Sequence, residues 1–161
     1  MLKLERNLIK EQFVFEEPPE NFQPKIEVAG CFICVGEDFL FLKQQPNDSE
    51  ANTWGVPGGK IGKTESAEAS SMREVYEETG IDLNNTPLRF LGKVYIRYPE
   101  MDFFYSMFEA SLKNYPAVVI DPAEHTEYRW MTLETTLELP LIRGKRAGSS
   151  TAPRNSGNLN K

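Results

Sequence analysis

Apolar residues fall in short runs divided by turn chemistry, and one longer segment has helical composition. Ile26–Val35 (IEVAGCFICV) is nearly all apolar, β-branched or aromatic, the pattern of a central strand. Gly36-Glu37-Asp38 supplies a turn and Phe39–Lys43 the returning strand. A polar loop, Gln44–Thr53, leads into the glycine-rich piece Trp54–Lys60 (WGVPGGK). Ser66–Thr79 predicts a helix, stopped by Gly80, with Ala69, Met72, Val75 or Tyr76 and Thr79 as its packing face. Leu88–Tyr98 and Asp102–Ala110 predict strands, split by Pro99-Glu100-Met101, and Glu127–Met131 predicts another. Thr132 is placed to cap a helix from Leu133 that Pro140 ends.

The ends differ from this body. In residues 1–25, Glu17-Pro18-Pro19-Glu20 blocks helix and central strand, so the segment reads as an extension, either a linker or an edge packed on the body. Residues 144–161 are a polar tail with four basic and no acidic residues. The body, residues 26–143, reads as one domain, which suits a 161-residue chain.

Composition narrows the partners. The net charge of −6 argues against a nucleic-acid duplex or an anionic membrane. No apolar run is long enough to span a bilayer, and Met1–Lys10 has no signal-peptide core, which together predict a cytoplasmic protein. Cys31 and Cys34 have C-x-x-C spacing without a second pair, and read as two reduced core thiols. With His125 as the single histidine, a His-rich metal site is excluded.

The chemistry concentrates in Gly59–Ile81. Glu74, Glu77 and Glu78 stand at i, i+3 and i+4, which puts three carboxylates on one helix face. Like charges so placed repel, and hard oxygen ligands in that cluster invite Mg²⁺ or Mn²⁺. A solvated acidic face is the plainer explanation of such a run taken alone. The wider spacing decides between them. Gly59, Glu65, Arg73, Glu74, Glu77, Glu78 and Gly80, with Val75 and Ile81 apolar, fill every fixed position of G-x5-E-x7-R-E-U-x-E-E-x-G-U, where U is bulky and apolar. Chains of this composition would match by accident on the order of once in a million.

That pattern is the Nudix box, and the chain resembles the Nudix hydrolases, most closely the small MutT-type members, over roughly Ile26–Ile142. The resemblance implies an α/β fold, an α/β/α sandwich with a mixed β-sheet, and hydrolysis of a nucleoside diphosphate linked to another moiety. It implies a divalent metal, Mg²⁺ or Mn²⁺, held by Glu77 and Glu78, with Glu74 ligating or taking the proton of the attacking water. The Gly58 carbonyl, in Pro57-Gly58-Gly59, is a further ligand by the same resemblance, and Arg73 orients the carboxylates. Glu65 closes the cluster or braces the loop. Glu124, six residues before Trp130, resembles the family's additional acidic residue, with Glu127 as runner-up.

Substrate recognition rests on two aromatics. Trp54 is either a base-stacking ring or core packing. Tyr98, 17 residues after Ile81, has a spacing similar to a tyrosine of dinucleoside-polyphosphate members. The ADP-ribose branch tends to have a proline where Ile96 stands, and no coenzyme A signature precedes the box. The expectation is a nucleotide pyrophosphohydrolase acting on a nucleoside triphosphate or a dinucleoside polyphosphate. The alternative is a catalytically silent nucleotide-binding regulatory module on the same fold. The usual helical region after Pro140 is replaced by the polar tail, and oligomeric state is not inferable from the sequence.

Overall fold

The computed structural model describes residues 13–47, 51–136 and 138–139. Its strands are β1 (Val14–Phe15), β2 (Pro24–Val35), β3 (Asp38–Gln44), β4 (Trp54–Gly55), β5 (Gly58–Lys60), β6 (Arg89–Arg97), β7 (Asp102–Leu112) and β8 (His125–Met131). The helices are α1 (Ala67–Thr79) and α2 (Leu133–Thr136). They build the mixed sheet and helices of an α/β sandwich. β2 and β7 run parallel from Pro24 opposite Asp102 to Val35 opposite Leu112, while β6 and β3 flank them antiparallel.

One irregularity of the sheet creates the site. β2 and β3 pair only next to their hairpin, Cys34 with Phe39 and Val35 with Asp38, and then diverge. The segment Trp54–Lys60 enters the gap. Its β4 end pairs with Leu42 and Lys43 of β3, and its β5 end pairs with Val28, Ala29 and Gly30 of β2. Between them the Cys31 N–H donates to Pro57 O at 3.0 Å, so the wedge satisfies the strand edge it splits.

Alternation along β2 sends Phe32 and Cys34 to one apolar cluster, with Phe41, Trp54, Tyr105 and Met131, and sends Ala29, Cys31 and Ile33 to the other, beneath Val75 of α1. Cys31 and Cys34 therefore lie on opposite faces and cannot pair; both are free and buried, and burial pushes the Cys31 thiol up to about 12.

Helix α1 starts where Ser66 accepts from Ala69 N at 3.0 Å and stops where Gly80 takes φ 73°. Its packing face keeps Met72, Val75 and Thr79 of the periodicity reading and differs at the other positions. Ala69 is exposed and Tyr76 is 60% exposed, whereas Ser70, Ser71, Val75, Glu78 and Thr79 are buried. The small serines allow the helix to approach β5 closely, and Ser70 Oγ donates to Lys60 O at 3.3 Å. At the other end of the chain, Thr132 caps α2 through Thr135 N, at 3.3 Å. The helix is four residues long, and Pro140 with the tail 144–161 lies outside the described residues. No helix among the described residues is long and apolar enough to cross a membrane.

Residues 13–25 pack on the body. β1 adds an edge to β6, and β2 begins at Pro24, two residues earlier than the apolar pattern suggests. Arg97 ties this segment down: it donates to the carbonyls of Glu20 and Asn21 at 2.9 and 3.0 Å and to both oxygens of Asp102 at 2.8 Å. The Arg97 guanidinium, and then the Gln23 N–H, lower the Asp102 carboxyl from 3.8 to about 2. A depressed folded value contributes stability that is present above about pH 3.8 and lost as pH falls toward 2. Thermal melts are expected to fall across that window in the wild type and to fall less there in Asp102→Asn; parallel curves would remove the clamp's role.

Candidate active site

The wedge brings β5 under the acidic face of α1, and two glycines allow the approach. A Cβ on Gly58 would stand 2.6 Å from Ala29 O and 2.8 Å from Gly30 Cα. A Cβ on Gly59 would strike the Glu74 carboxylate. Only bare backbone fits between β2 and the helix here.

Arg73 organises one part of the acidic face. Its Nε and Nη2 grip Glu65 at 2.6 and 2.9 Å, and its Nη1 reaches Glu74 at 2.8 Å and Glu77 at 3.1 Å. Nη2 also donates to Lys60 O at 3.1 Å, which links helix, loop and β5. Such a paired fork fixes carboxylate orientation as well as charge. Glu65 accepts in addition from Gly62 N at 2.8 Å, so it braces the loop ahead of the helix. The Arg73 contact, and then the Gly62 N–H, lower the Glu65 carboxyl to about 2.

Glu78 stands apart from that network. It is 5% exposed, against 55% for the Glu77 side chain. Its Oε1 accepts from Gly58 N at 3.3 Å, and its Oε2 lies 3.6 Å from His125 Nε2. The Tyr105 hydroxyl is close by, against Gly30, and its phenol is raised by burial first, then by Cys31 and Glu78. Glu77 and Glu78, adjacent in sequence, thus occupy different settings, one on the Arg73 network and one in a buried recess.

Glu124 is exposed, in the turn where Glu124 N and His125 N both donate to Asp121 O, one residue from the histidine that faces Glu78. Glu127 is engaged by Arg129 at 2.8 Å and Lys43 at 3.9 Å. Trp54 is 3% exposed in the core, with the Arg129 guanidinium 4.9 Å from its ring centroid. Tyr98 is half-buried, edge-on to Phe13 and Phe103, and lines a cavity of about 590 Å³ with Lys25, Arg97 and Glu100. Two features escape a reading of sequence: the His125 contact with Glu78, and the seating of Glu74 on Gly59. Both depend on the register of strands far apart in the chain.

Among the described residues no three His, Cys, Asp or Glu groups form a ready cluster of metal ligands. The donor set nevertheless fits a hard divalent cation: Glu74, Glu77 and Glu78 offer carboxylate oxygens from one helix, and the Gly59 cradle, which a Cβ would fill, seats one of them against the β5 backbone.

Comparison with known proteins shows the family and the fold. The NUDIX domain family model matches residues 24–149. The chain is 28% identical over 134 residues to Nudix hydrolase 8 of Arabidopsis thaliana, covering 80% of this chain and 36% of that protein. It therefore spans about a third of that relative's length. It is 33% identical over 85 residues to an 8-oxo-dGTP diphosphatase of Proteus vulgaris, covering 52% of this chain and 74% of that one. Its fold superposes with TM-score 0.68 on a MutT NUDIX hydrolase of Burkholderia pseudomallei, 26% identical, over 81% of this chain and 99% of that one. With the complete box folded as loop, helix and β5 cradle, and with the family model covering most of its length, the chain belongs to the Nudix hydrolase family.

Proposed function

We propose that this chain is a Mg²⁺- or Mn²⁺-dependent pyrophosphohydrolase that cleaves the diphosphate linkage of a nucleoside triphosphate or dinucleoside polyphosphate. The carrying observation is the acidic face of α1, seated on Gly58–Gly59 and braced by Arg73. The residues that would hold the metal are Glu74, Glu77, Glu78, the Gly58 carbonyl and Glu124. A divalent ion bound there would neutralise the polyphosphate and would lower the pKa of a bound water. Arg73 holds Glu74 and Glu77 in one orientation, so that Glu74 either ligates or receives the proton of the attacking water. The name of the Proteus vulgaris relative supports a nucleoside triphosphate.

The test is a panel of nucleoside triphosphates, dinucleoside polyphosphates and nucleotide sugars, with products separated by chromatography. Turnover of a triphosphate or dinucleotide is the expected result. Cleavage of none would overturn the reading, and nucleotide binding without cleavage would favour a silent regulatory module.

Tyr98 separates the two substrate classes. It follows Arg97, opposite Asp102 and hence the Pro24 end of β2, while β5 pairs four to six residues further on, roughly 13–20 Å away at strand rise. From that place its ring meets only the far end of an elongated substrate. Stacking on one base is worth roughly 1–3 kcal/mol. Tyr98→Ala is expected to lower kcat/KM for a dinucleoside polyphosphate by about 5- to 150-fold and to leave triphosphates nearly unchanged. Equal losses on both would make Tyr98 structural and favour the triphosphate.

A further inference from the structure

We propose that His125 is a positioning residue that fixes the Glu78 carboxylate for metal binding; this rests on reading the α1 face as a metal site. Strand register sets the side to which His125 turns. β8 pairs with β3 as Met131 opposite Phe39, Arg129 opposite Phe41 and Glu127 opposite Lys43. Strict alternation would continue with His125 on that same face, the face of Trp54 and Met131. Instead the register shifts between Lys43 and Gln44, and His125 stands opposite Gln44. Thr126 is the extra residue of a bulge, a device that re-aims a side chain. It turns His125 to the side of Leu40, Leu42 and α1.

There the imidazole is 3% exposed, with Nε2 3.6 Å from Glu78 Oε2. The other Glu78 oxygen accepts from Gly58 N. The carboxylate is thus spanned between β5, one end of the wedge, and β8, the strand paired with β3. One oxygen is hydrogen-bonded to backbone and the other faces the imidazole, so the carboxylate is held from both sides. Together these contacts set the direction of the group. Neighbours that orient ligating carboxylates typically change metal affinity by 10- to 100-fold when removed. Glu74 and Glu77 have Arg73 for this purpose; for Glu78 the structure assigns it to His125 and Gly58 N.

The test is Mn²⁺ binding by the full chain, measured by titration calorimetry alongside thermal melting and separate kcat and KM values. His125→Leu removes the nitrogen and keeps the bulk. It is expected to weaken Mn²⁺ binding by about 10- to 100-fold and to lower kcat at limiting Mn²⁺, with recovery at high Mn²⁺. His125→Gln restores a nitrogen near the Nε2 position and is expected to return Mn²⁺ affinity to within a few-fold of wild type. In a Glu78→Gln background, His125→Leu is expected to add no further loss. Wild-type Mn²⁺ affinity in His125→Leu, or a full additional loss in the Glu78→Gln background, overturns the proposal. If His125→Leu fails to fold, a loss of affinity in folded His125→Gln as large as that of Glu78→Gln overturns it instead. A wild-type chain that binds no Mn²⁺ overturns the metal reading itself and this inference with it, which distinguishes the two failures.

Discussion

Glu78→Gln is expected to lower kcat/KM by about 30- to 1000-fold, corresponding to roughly 2–4 kcal/mol of lost transition-state stabilisation, with a melting temperature within about 3 °C of wild type. The two halves of that result have different causes. Glutamine keeps the shape of the side chain and an oxygen that accepts from Gly58 N, so the buried recess stays filled. What it loses is the negative charge, in a setting nearly closed to water where charge interactions are least screened. Glu77→Gln belongs to the same class of change, but Glu77 is largely exposed and shares Arg73 with Glu65 and Glu74. Full activity and normal metal dependence in Glu78→Gln would remove Glu78 from the ligand set.

Gly58→Ala is expected to be the most damaging single change to the fold of the site. Its Cβ would meet Ala29 O and Gly30 Cα, both backbone atoms of the central strand, so no side chain can swing aside. β5 would have to part from β2. Overpacking of this kind costs about 1–3 kcal/mol, a fall of roughly 3–10 °C in melting temperature, and activity should fall with it as Gly58 N leaves Glu78. Gly59→Ala is the informative comparison. Its Cβ meets the end of the Glu74 side chain, which can move. Activity should therefore drop while the melting temperature changes little. Identical melting behaviour in the two variants would contradict the cradle described here.

Local chemistry was readable from the sequence, and long-range register was not. Ser66 and Gly80 bound the box helix because capping is decided within a few residues. The strand around Ile26–Val35 was visible because a strand buried on both faces needs a continuous apolar run. The packing side of α1 is legible in part: Val75 and Thr79 are buried as the periodicity expects and Met72 packs on the same cluster, whereas the contact with bare glycine backbone selects the small Ser70 and Ser71 and leaves Tyr76 outside. The acidic cluster was legible as spacing, but its division into an Arg73-bound set and a buried Glu78 was not. That division depends on where β5 and β8 lie, and so on the divergence of β2 from β3 and the bulge at Thr126. A two-residue period counted along β8 alone puts His125 on the wrong face.

The proposed role of the acidic face of α1 is to bind a divalent metal for hydrolysis of a nucleotide pyrophosphate bond. The most direct measurement is steady-state turnover of the nucleotide panel across a Mg²⁺ and a Mn²⁺ titration, with a chelator-treated control. The expected result is hydrolysis that is absent in chelator, rises with metal to saturation, and yields a nucleoside phosphate together with the remaining phosphate-bearing moiety. Equal turnover with and without metal, or no turnover of any panel member at saturating metal, would contradict it.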